Sequence, residues 1–298
     1  MKVCFQPLAR RVAAMALAFT GWAGAQSPAA AQAVQVPSLD RSQGTAVVLP
    51  GHWFAAPGKA AAPAMVLMHG CGGNQDNKGR LAARYTELAA RLNAMGVHVL
   101  VTDSFTPRGE KQICTQKTGQ RRITQLNRRR DALGALQWMA AQPGVDATRL
   151  GLLGWSNGGS TVLAATDGAH PQVLAQAKDV APFKTAIAFY PGCTDTLTSG
   201  YALNTSLTLF LGADDDWTLP GPCIAMAKAL ESQGKQTVEL NVYPGAVHDF
   251  DTPLPGLRER ADVPSRLRPG RCVMTGQNPA AREASWARVR ELLAGAFR

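Results

Sequence analysis

One segment of the chain holds a serine in a setting suited to nucleophilic catalysis. Ser156 stands in the sequence Gly-Trp-Ser-Asn-Gly, residues 154–158, directly after an apolar run and before a stretch of small residues. A G-x-S-x-G sequence between a strand and a helix predicts a tight turn that exposes the serine hydroxyl. Side chains at positions 154 and 158 would collide with the neighbouring strand and helix, so both positions call for glycine. We therefore predict Ser156 as the nucleophile of an acyl-transfer reaction.

A serine hydroxyl is a weak nucleophile near neutral pH and needs a base that an acid orients. Two later apolar runs end in polar loops, one with aspartates at positions 214, 215 and 216 and one with His248, the only histidine after residue 170. Loops at the carboxyl ends of parallel strands lie at one edge of a sheet. We predict His248 as the base and Asp215 as the acid, with Asp214 and Asp216 as alternatives.

Two backbone N–H groups are candidates for an oxyanion hole. Asn157 begins the predicted helix, where unpaired N–H donors and the helix dipole favour a developing negative charge. The sequence His-Gly-Cys-Gly-Gly, residues 69–73, follows an early apolar run and could turn the N–H of Cys71 toward Ser156. A plain glycine turn is the alternative for this segment. A P-loop is excluded because no Gly-Lys-Ser/Thr follows.

The elements that must position these residues form an α/β pattern. From about residue 46, short apolar runs alternate with longer helical patterns, which is typical of a mostly parallel sheet flanked by helices. With no internal repeat, we expect a single catalytic domain over residues 46–298, after a poorly ordered arm over residues 26–45 and with a long surface loop over residues 253–278. The predicted strands are Ala64–Met68, Val97–Thr102, Arg149–Leu153, Thr185–Tyr190, Ser206–Leu211 and Thr237–Val242, and the predicted helices are Leu81–Met95, Ile123–Ala141, Cys223–Gln233 and Ala280–Phe297.

The N-terminus has the pattern of a secretory signal peptide. Three basic residues precede an uncharged stretch, residues 12–23, which ends at the small-x-small sequence Ala-Gly-Ala. This predicts a signal peptide over residues 1–25, with cleavage after Ala25 or after Ala33; an uncleaved anchor is the alternative. The apolar run is shorter than the ~20 residues of a membrane-spanning helix, and no later stretch is long enough. We expect an exported protein, periplasmic or secreted, without a membrane span after signal removal.

Charge and composition exclude several classes of protein. The chain is 46% hydrophobic and 17% charged, which excludes a disordered or fibrous protein. Its net charge is +10, and removal of residues 1–25 leaves 28 basic and 21 acidic residues, or +7. Much of the excess lies in residues 121–130, and without interleaved aromatic residues this indicates a solvated helix face and no nucleic-acid partner. The sequence contains no C-x-x-C or H-E-x-x-H, so we expect no metal. Acyl transfer by a serine with a base and an acid needs no cofactor, so we expect none.

Taken together, these segments resemble the dienelactone hydrolase family of the α/β-hydrolase superfamily. The resemblance covers most of the chain from about residue 46 and implies Ser156, Asp215 and His248 as the catalytic triad. The enzymes that name the family use a cysteine nucleophile, so Ser156 points to a broader esterase. The segments that carry the resemblance are His69–Gly73, Asp103–Gly109, Gly154–Gly159, Gly212–Trp217 and Tyr243–Phe250.

Five cysteines remain after signal removal, and sequence alone leaves fifteen ways to form two bridges among them. The family resemblance implies the bridges Cys71–Cys114 and Cys193–Cys223, which leaves Cys272 free.

Three further residues are candidates for the substrate pocket. Arg108 could hold a substrate carboxylate or form a salt bridge with Asp103. Trp155 and Trp217 flank the predicted catalytic positions and could shape an acyl pocket or pack in the core. The predicted function is that of an exported serine hydrolase that cleaves small-molecule carboxylic esters through an acyl-enzyme. A serine peptidase of the same superfamily and a non-catalytic binding module are the alternatives.

Overall fold

The computed structural model describes residues 30–58, 61–117, 119–234, 238–268 and 270–298. The predicted signal peptide, residues 1–25, lies outside these ranges. Within them, no helix combines the length and the apolar character that crossing a membrane requires.

Eight strands form one mostly parallel sheet in the order β1-β2-β4-β3-β5-β6-β7-β8, in which only the pairings of β2 with β1 and with β4 are antiparallel. The six strands predicted from the apolar runs are all present, with bounds shifted by at most four residues. The strands are β1 (Gln32–Ser42), β2 (Thr45–Phe54), β3 (Ala62–Met68), β4 (His98–Thr102), β5 (Val145–Trp155), β6 (Thr185–Phe189), β7 (Ser206–Gly212) and β8 (Val238–Tyr243).

Helices cover both faces of this sheet, which confirms the predicted fold class. In β3, Ala64, Val66 and Met68 point to a core shared with α2, α3 and α6, whereas Met65 and Leu67 point to a core shared with α1 and α7. Burial on both faces explains why the central strands are continuous apolar runs. The helices are α1 (Ala83–Asn93), α2 (Gln125–Ala140), α3 (Asn157–Ala165), α4 (Pro171–Gln176), α5 (Thr194–Thr198), α6 (Pro220–Ser232) and α7 (Pro279–Ala296).

The expectation of a poorly ordered arm over residues 26–45 is wrong for Gln32–Ser42. This segment is the edge strand β1, paired with β2 and packed against α2. Its inward residues Val36, Ser38 and Asp40 are buried. Two of the three are polar, so the alternation of apolar and polar residues that marks a half-buried strand is weak in this segment.

The expectation of a long surface loop over residues 253–278 is also wrong in part. Residues Leu257–Pro264 form β9 and Cys272–Gly276 form β10, an antiparallel pair separate from the main sheet. The many Pro, Gly and Arg residues of this segment indicated a loop, but its backbone is paired as a hairpin. We call the segment 257–276 the β9–β10 hairpin.

Candidate active site

The predicted nucleophile lies on a tight turn between β5 and α3. Ser156 has φ 52° and ψ −116°, in the left-handed region that non-glycine residues rarely adopt. A Cβ at position 154 would lie 2.2 Å from the carbonyl oxygen of Gly158, and one at position 158 would lie 2.0 Å from that of Met68. The steric requirement for glycine at both positions is therefore confirmed. Such strain persists only where the surrounding structure imposes it, and strained residues cluster at functional sites.

His248 and Asp215 form a buried pair beyond the ends of β8 and β7. His248 Nδ1 lies 2.7 Å from Asp215 Oδ2, and the two side chains are 4% and 1% exposed. The other carboxylate oxygen accepts the N–H groups of Trp217 and Thr218, each at 2.9 Å. Because Nδ1 faces the carboxylate, Nε2 is the ring nitrogen left for proton exchange with a substrate or nucleophile.

The three consecutive aspartates have separate environments. Asp215 is the one of the three that contacts His248, while Asp214 is exposed. Asp216 is buried and accepts hydrogen bonds from Arg268 and Ser265 of the β9–β10 hairpin. The geometry therefore favours Asp215 over both alternatives as the partner of the base.

The same hairpin also holds the base. The N–H of Gly276 donates to the carbonyl oxygen of His248 at 3.0 Å, and the N–H of Met274 donates to Asp216 Oδ1 at 3.0 Å. One segment thus contacts the loops that carry His248 and Asp215. Sequence reasoning missed this role because it treated the segment as a loop.

Neighbouring contacts place Ser156 on the same side of the sheet as His248. The N–H of Ser156 donates to the carbonyl oxygen of Phe189 at 2.9 Å. The next residue, Tyr190, lies against the imidazole of His248 with ring centroids 4.6 Å apart. The residues predicted as nucleophile, base and acid therefore follow β5, β8 and β7 at the carboxyl edge of the sheet.

Two backbone donors border the nucleophile turn. The loop of residues 69–73 lies against it, since a Cβ on Gly70 would be 3.5 Å from the carbonyl oxygen of Trp155 and 3.7 Å from Ser156 Cβ. The N–H groups of Cys71 and Asn157 have no hydrogen-bond acceptor among the described residues. Free N–H groups beside a serine are suited to bind a carbonyl oxygen that becomes negatively charged.

His69 fixes the start of this loop through hydrogen bonds at both of its ring nitrogens. Its Nε2 accepts the N–H of Ser104 at 3.1 Å, so Nδ1 carries the proton and donates to the carbonyl oxygen of Gly70 at 2.8 Å. Complete burial, together with the nearby charge of Arg128, lowers the pKa of His69 to about 3. The ring is therefore neutral across the physiological range.

The sequence model of the dienelactone hydrolase family matches residues 52–297. The chain belongs to the dienelactone hydrolase family. The resemblance drawn from the sequence segments is thereby confirmed. A comparison with curated proteins found no match.

Solved structures share the fold of this family member. A Klebsiella pneumoniae protein assigned as a dienelactone hydrolase is 19% identical, with a TM-score of 0.61 over 89% of this chain and 99% of that one. A dienelactone hydrolase-like promiscuous phosphotriesterase from metagenomic libraries is 20% identical, with a TM-score of 0.60 over 90% and 100% of the two chains. Esterase 2 of Thermogutta terrifontis, phosphoramylated by tabun, is 16% identical, with a TM-score of 0.57 over 89% and 94%. Likeness at these identities establishes the α/β-hydrolase architecture.

Arg108 is paired with two buried carboxylates in this family member. Its guanidinium, on a side chain only 6% exposed, donates to Asp40 and Asp131 at 2.8 Å each, and to the carbonyl oxygen of Ser104. Asp103 instead accepts backbone N–H groups of the turn that follows it. Both interpretations of Arg108, as a carboxylate clamp and as the partner of Asp103, are therefore wrong. The reason is β1, which brings Asp40 to the guanidinium.

The two tryptophan candidates differ. Trp155 is 2% exposed, packs among aromatic side chains and donates from Nε1 to Asp251 Oδ2 at 2.8 Å, so it belongs to the core and not to an acyl pocket. Trp217 is partly exposed, lies with its ring centroid 4.7 Å from that of His248 and contacts the guanidinium of Arg260. Trp217 therefore remains a candidate for the wall of a substrate pocket.

Both predicted disulfides are present. Cys71 is bonded to Cys114 and Cys193 to Cys223, while Cys272 is free. The first bridge fixes the loop that carries the Cys71 N–H. In the part of the chain that the structure describes, no group of His, Cys, Asp and Glu could hold a metal ion.

Two charged groups near the site were not found from the sequence. Arg84 pairs with Asp249 and Asp251, just after His248 in the chain. Arg128 is fully buried and bonds to the side chain of Asn157, so the expectation of a solvated helix face over residues 121–130 is wrong at this position. The only sequence signal for the cluster of Arg84 with Asp249 and Asp251 is that both aspartates closely follow His248 in the chain.

Proposed function

We propose that this chain is an exported serine esterase that hydrolyses small-molecule carboxylic esters through an acyl-enzyme, with Ser156 as nucleophile, His248 as base and Asp215 as triad acid. The observation that carries the proposal is the buried hydrogen bond of 2.7 Å between His248 Nδ1 and Asp215 Oδ2, at the sheet edge where Ser156 adopts its strained turn. A serine, a base and an orienting acid on separate loops have the roles that acyl transfer requires.

In the proposed reaction, Ser156 Oγ attacks the ester carbonyl carbon and its proton passes to His248 Nε2. The carbonyl oxygen becomes an oxyanion, which the N–H groups of Cys71 and Asn157 stabilise; each donor contributes on the order of 10² to 10³ in rate. The intermediate collapses, and His248 returns the proton to the leaving alcohol. Water then attacks the acyl-enzyme by the same route, with Asp215 ionised throughout.

The substrate class follows from the nucleophile and the surroundings of the site. A serine hydroxyl activated by a base suits ordinary esters. Arg108 forms salt bridges with Asp40 and Asp131, so it does not favour a substrate that carries a carboxylate. Two structural neighbours are described as an esterase and a phosphotriesterase, and tabun phosphoramylates the esterase. We therefore expect Ser156 to react with p-nitrophenyl esters and with a fluorophosphonate label.

Export is supported by the two disulfides and by the signal-peptide pattern of residues 1–25. Disulfides persist in oxidising compartments such as the periplasm and the medium and are rare in the cytosol. N-terminal sequencing of protein recovered from the periplasm or the medium tests this part of the proposal; retention of the full chain in the cytosol would contradict it.

The decisive experiment compares the mature protein with Ser156→Ala on p-nitrophenyl esters and on aminoacyl-anilides. Ser232→Ala is the matched control, since Ser232 is exposed at the end of α6 and its hydroxyl donates to the carbonyl oxygen of Ala229. We expect ester turnover to fall at least ~10³-fold in Ser156→Ala and to stay within ~2-fold in Ser232→Ala. Equal turnover by Ser156→Ala and the unsubstituted protein would exclude the proposed nucleophile.

Two other results would select the alternatives. Turnover of anilides without turnover of esters would indicate a peptidase. The absence of both turnover and fluorophosphonate labelling in a folded protein would indicate a binding module.

A further inference from the structure

Arg128 occupies an unusual environment in the first turns of α2. Its side chain is fully buried, and Nη1 donates to Asn157 Oδ1 at 2.6 Å. Nε and Nη2 have no hydrogen-bond partner among the described residues. The guanidinium carbon lies 5.2 Å from the ring centroid of Phe105. Buried arginines normally pair with a carboxylate, and this one is held by a neutral side chain and an aromatic ring.

The nearest acids are engaged elsewhere. Asp131 accepts hydrogen bonds from Arg108 and from Ser38 Oγ, and Asp103 accepts backbone N–H groups of the following turn. Burial lowers the pKa of Arg128 to about 10, which still leaves the group charged at neutral pH. A buried cation without an ion-pair partner destabilises the fold, so its position calls for a function.

The location of this cation indicates that function. Asn157 supplies one of the two candidate oxyanion donors through its backbone N–H and binds Arg128 through its side chain. The second candidate donor, the N–H of Cys71, lies two residues after His69. The ring centroid of His69 is 4.4 Å from that of Phe105, and the charge of Arg128 contributes to the lowered pKa of His69. Arg128 therefore lies behind the two segments that border the nucleophile.

We infer that Arg128 is a positioning residue for ester hydrolysis: it holds Asn157 in place and supplies a fixed positive charge behind the oxyanion hole. The inference rests on the proposed function, because it assigns the charge to the tetrahedral oxyanion formed by attack of Ser156. In a buried site little water screens the cation, so it acts more strongly on the transition state, which carries a full negative charge, than on the neutral ester. Its effect must therefore be on kcat more than on KM.

The test measures kcat, KM and inhibition by phenylboronic acid for Arg128→Met and Arg128→Lys. Ser156 Oγ donates an electron pair to boron and loses its proton to His248, which gives a tetrahedral anion that imitates the oxyanion state. We expect Arg128→Met to lose ~100-fold in kcat with KM within ~3-fold, and the boronate to bind weaker by a similar factor. Arg128→Lys keeps the charge and should recover kcat to within ~10-fold of the unsubstituted enzyme.

The matched control is Arg129→Met, which removes a charge from the neighbouring residue of α2. Arg129 donates to the carbonyl oxygen of Ala164, away from the nucleophile turn. All rates are normalised to the sites that a fluorophosphonate labels, so that loss of folded protein is not counted as loss of catalysis. We expect kcat of Arg129→Met to stay within ~2-fold, because the hydrogen bond of Arg129 lies in a later turn of α3 and not at Ser156 or Asn157.

A second variant keeps the inference testable if Arg128→Met does not fold. Asn157→Ala removes the side chain that accepts the hydrogen bond of Arg128 but keeps the backbone N–H, so kcat should fall ~10-fold. If Arg128→Met and Asn157→Ala both fold, the double variant should have a kcat no lower than that of Arg128→Met alone. Unchanged kcat and boronate affinity in Arg128→Met, or in Asn157→Ala if the former does not fold, would overturn the inference. Failure of the proposed function looks different, because Ser156 would then escape labelling and Ser156→Ala would keep its turnover.

Discussion

Asp251 is the shared acceptor of a buried cluster that joins three segments of the site. Its carboxylate accepts Arg84 Nη1 and the Tyr190 hydroxyl, each at 2.6 Å, and Trp155 Nε1 at 2.8 Å. Trp155 precedes Ser156, Tyr190 contacts the ring of His248, and Asp251 follows His248 by three residues. The substitution Asp251→Asn keeps the size of the side chain and removes the charge opposite Arg84. We predict a large loss of stability.

The magnitude follows from what the substitution leaves behind. Removing one partner of a buried ion pair costs about 3–5 kcal/mol, because the other charge stays buried. Arg84 is 11% exposed and keeps Asp249 as a second partner, so we expect the lower end, about 3 kcal/mol for Asp251→Asn. Asp251→Ala also leaves the N–H of Trp155 unpaired, at about 1–3 kcal/mol, while the Tyr190 hydroxyl keeps a hydrogen bond of 3.3 Å to Asp249 Oδ1; because such losses are not additive, we expect about 5 kcal/mol in all.

Urea denaturation measures these free energies of unfolding, with Asp262→Asn as the control. Asp262 pairs with Arg260 at the surface, where it is 44% exposed, and such pairs contribute under about 1 kcal/mol. A loss of 3 kcal/mol corresponds to a decrease in Tm of about 6–12 °C. If Asp251→Asn costs no more than Asp262→Asn, the assignment of a stabilising buried ion pair is refuted.

Three further predictions concern the turn, the acid and the pH dependence. Gly158→Ala places a Cβ 2.0 Å from a backbone oxygen and should lower the yield of fluorophosphonate-labelled sites at least ~10-fold, whereas Gly221→Ala, with nothing within 4 Å, should label normally. Asp215→Asn should reduce kcat ~10³- to 10⁴-fold and Asp214→Asn less than ~2-fold; equal losses in steady-state assays would show that the acid is misassigned. The pKa of His69 is about 3 in the fold against 6.5 in the unfolded chain, so the unfolded state binds the extra proton as the pH falls from 6.5 toward 3 and stability is lost there. Between pH 7 and pH 5 this protonation lowers the free energy of unfolding by about 2 kcal/mol. The prediction is contradicted if urea titrations give His69→Gln the same dependence of the free energy of unfolding on pH as the unsubstituted protein.

The sequence predicted the parts of the fold that depend on continuous apolar runs and on glycine sterics. The strands that are buried on both faces and the turn at Ser156 were found in this way, since few other structures tolerate such patterns. The family resemblance added the two disulfide pairs. The contact of Asp215 with His248 agrees with the choice of Asp215 as the predicted acid.

The remaining features depend on charge pairs between segments far apart in the chain. The edge strand β1 buries Asp40 against Arg108 and Arg130, so its inward face is polar and does not give the apolar alternation of a strand. Arg128 belongs to an arginine-rich run in which its neighbours lie closer to solvent, and composition does not distinguish them. A pairwise contact of this kind is fixed by the tertiary structure and leaves no local signal.

The hydrogen bonds of the β9–β10 hairpin also constrain the order in which the site can be completed during synthesis. Asp216 and His248 receive backbone N–H groups from Met274 and Gly276, which are made only after more than nine-tenths of the chain. A nascent chain that ends at residue 270 therefore lacks both of these backbone contacts, together with α7, and keeps the hydrogen bonds of the Ser265 and Arg268 side chains to Asp216. We expect cell-free synthesis to yield fluorophosphonate-reactive protein only from templates that extend past this point, and full labelling of a chain that ends at residue 270 would contradict this. Such timing would keep the site incomplete while the chain is still being made.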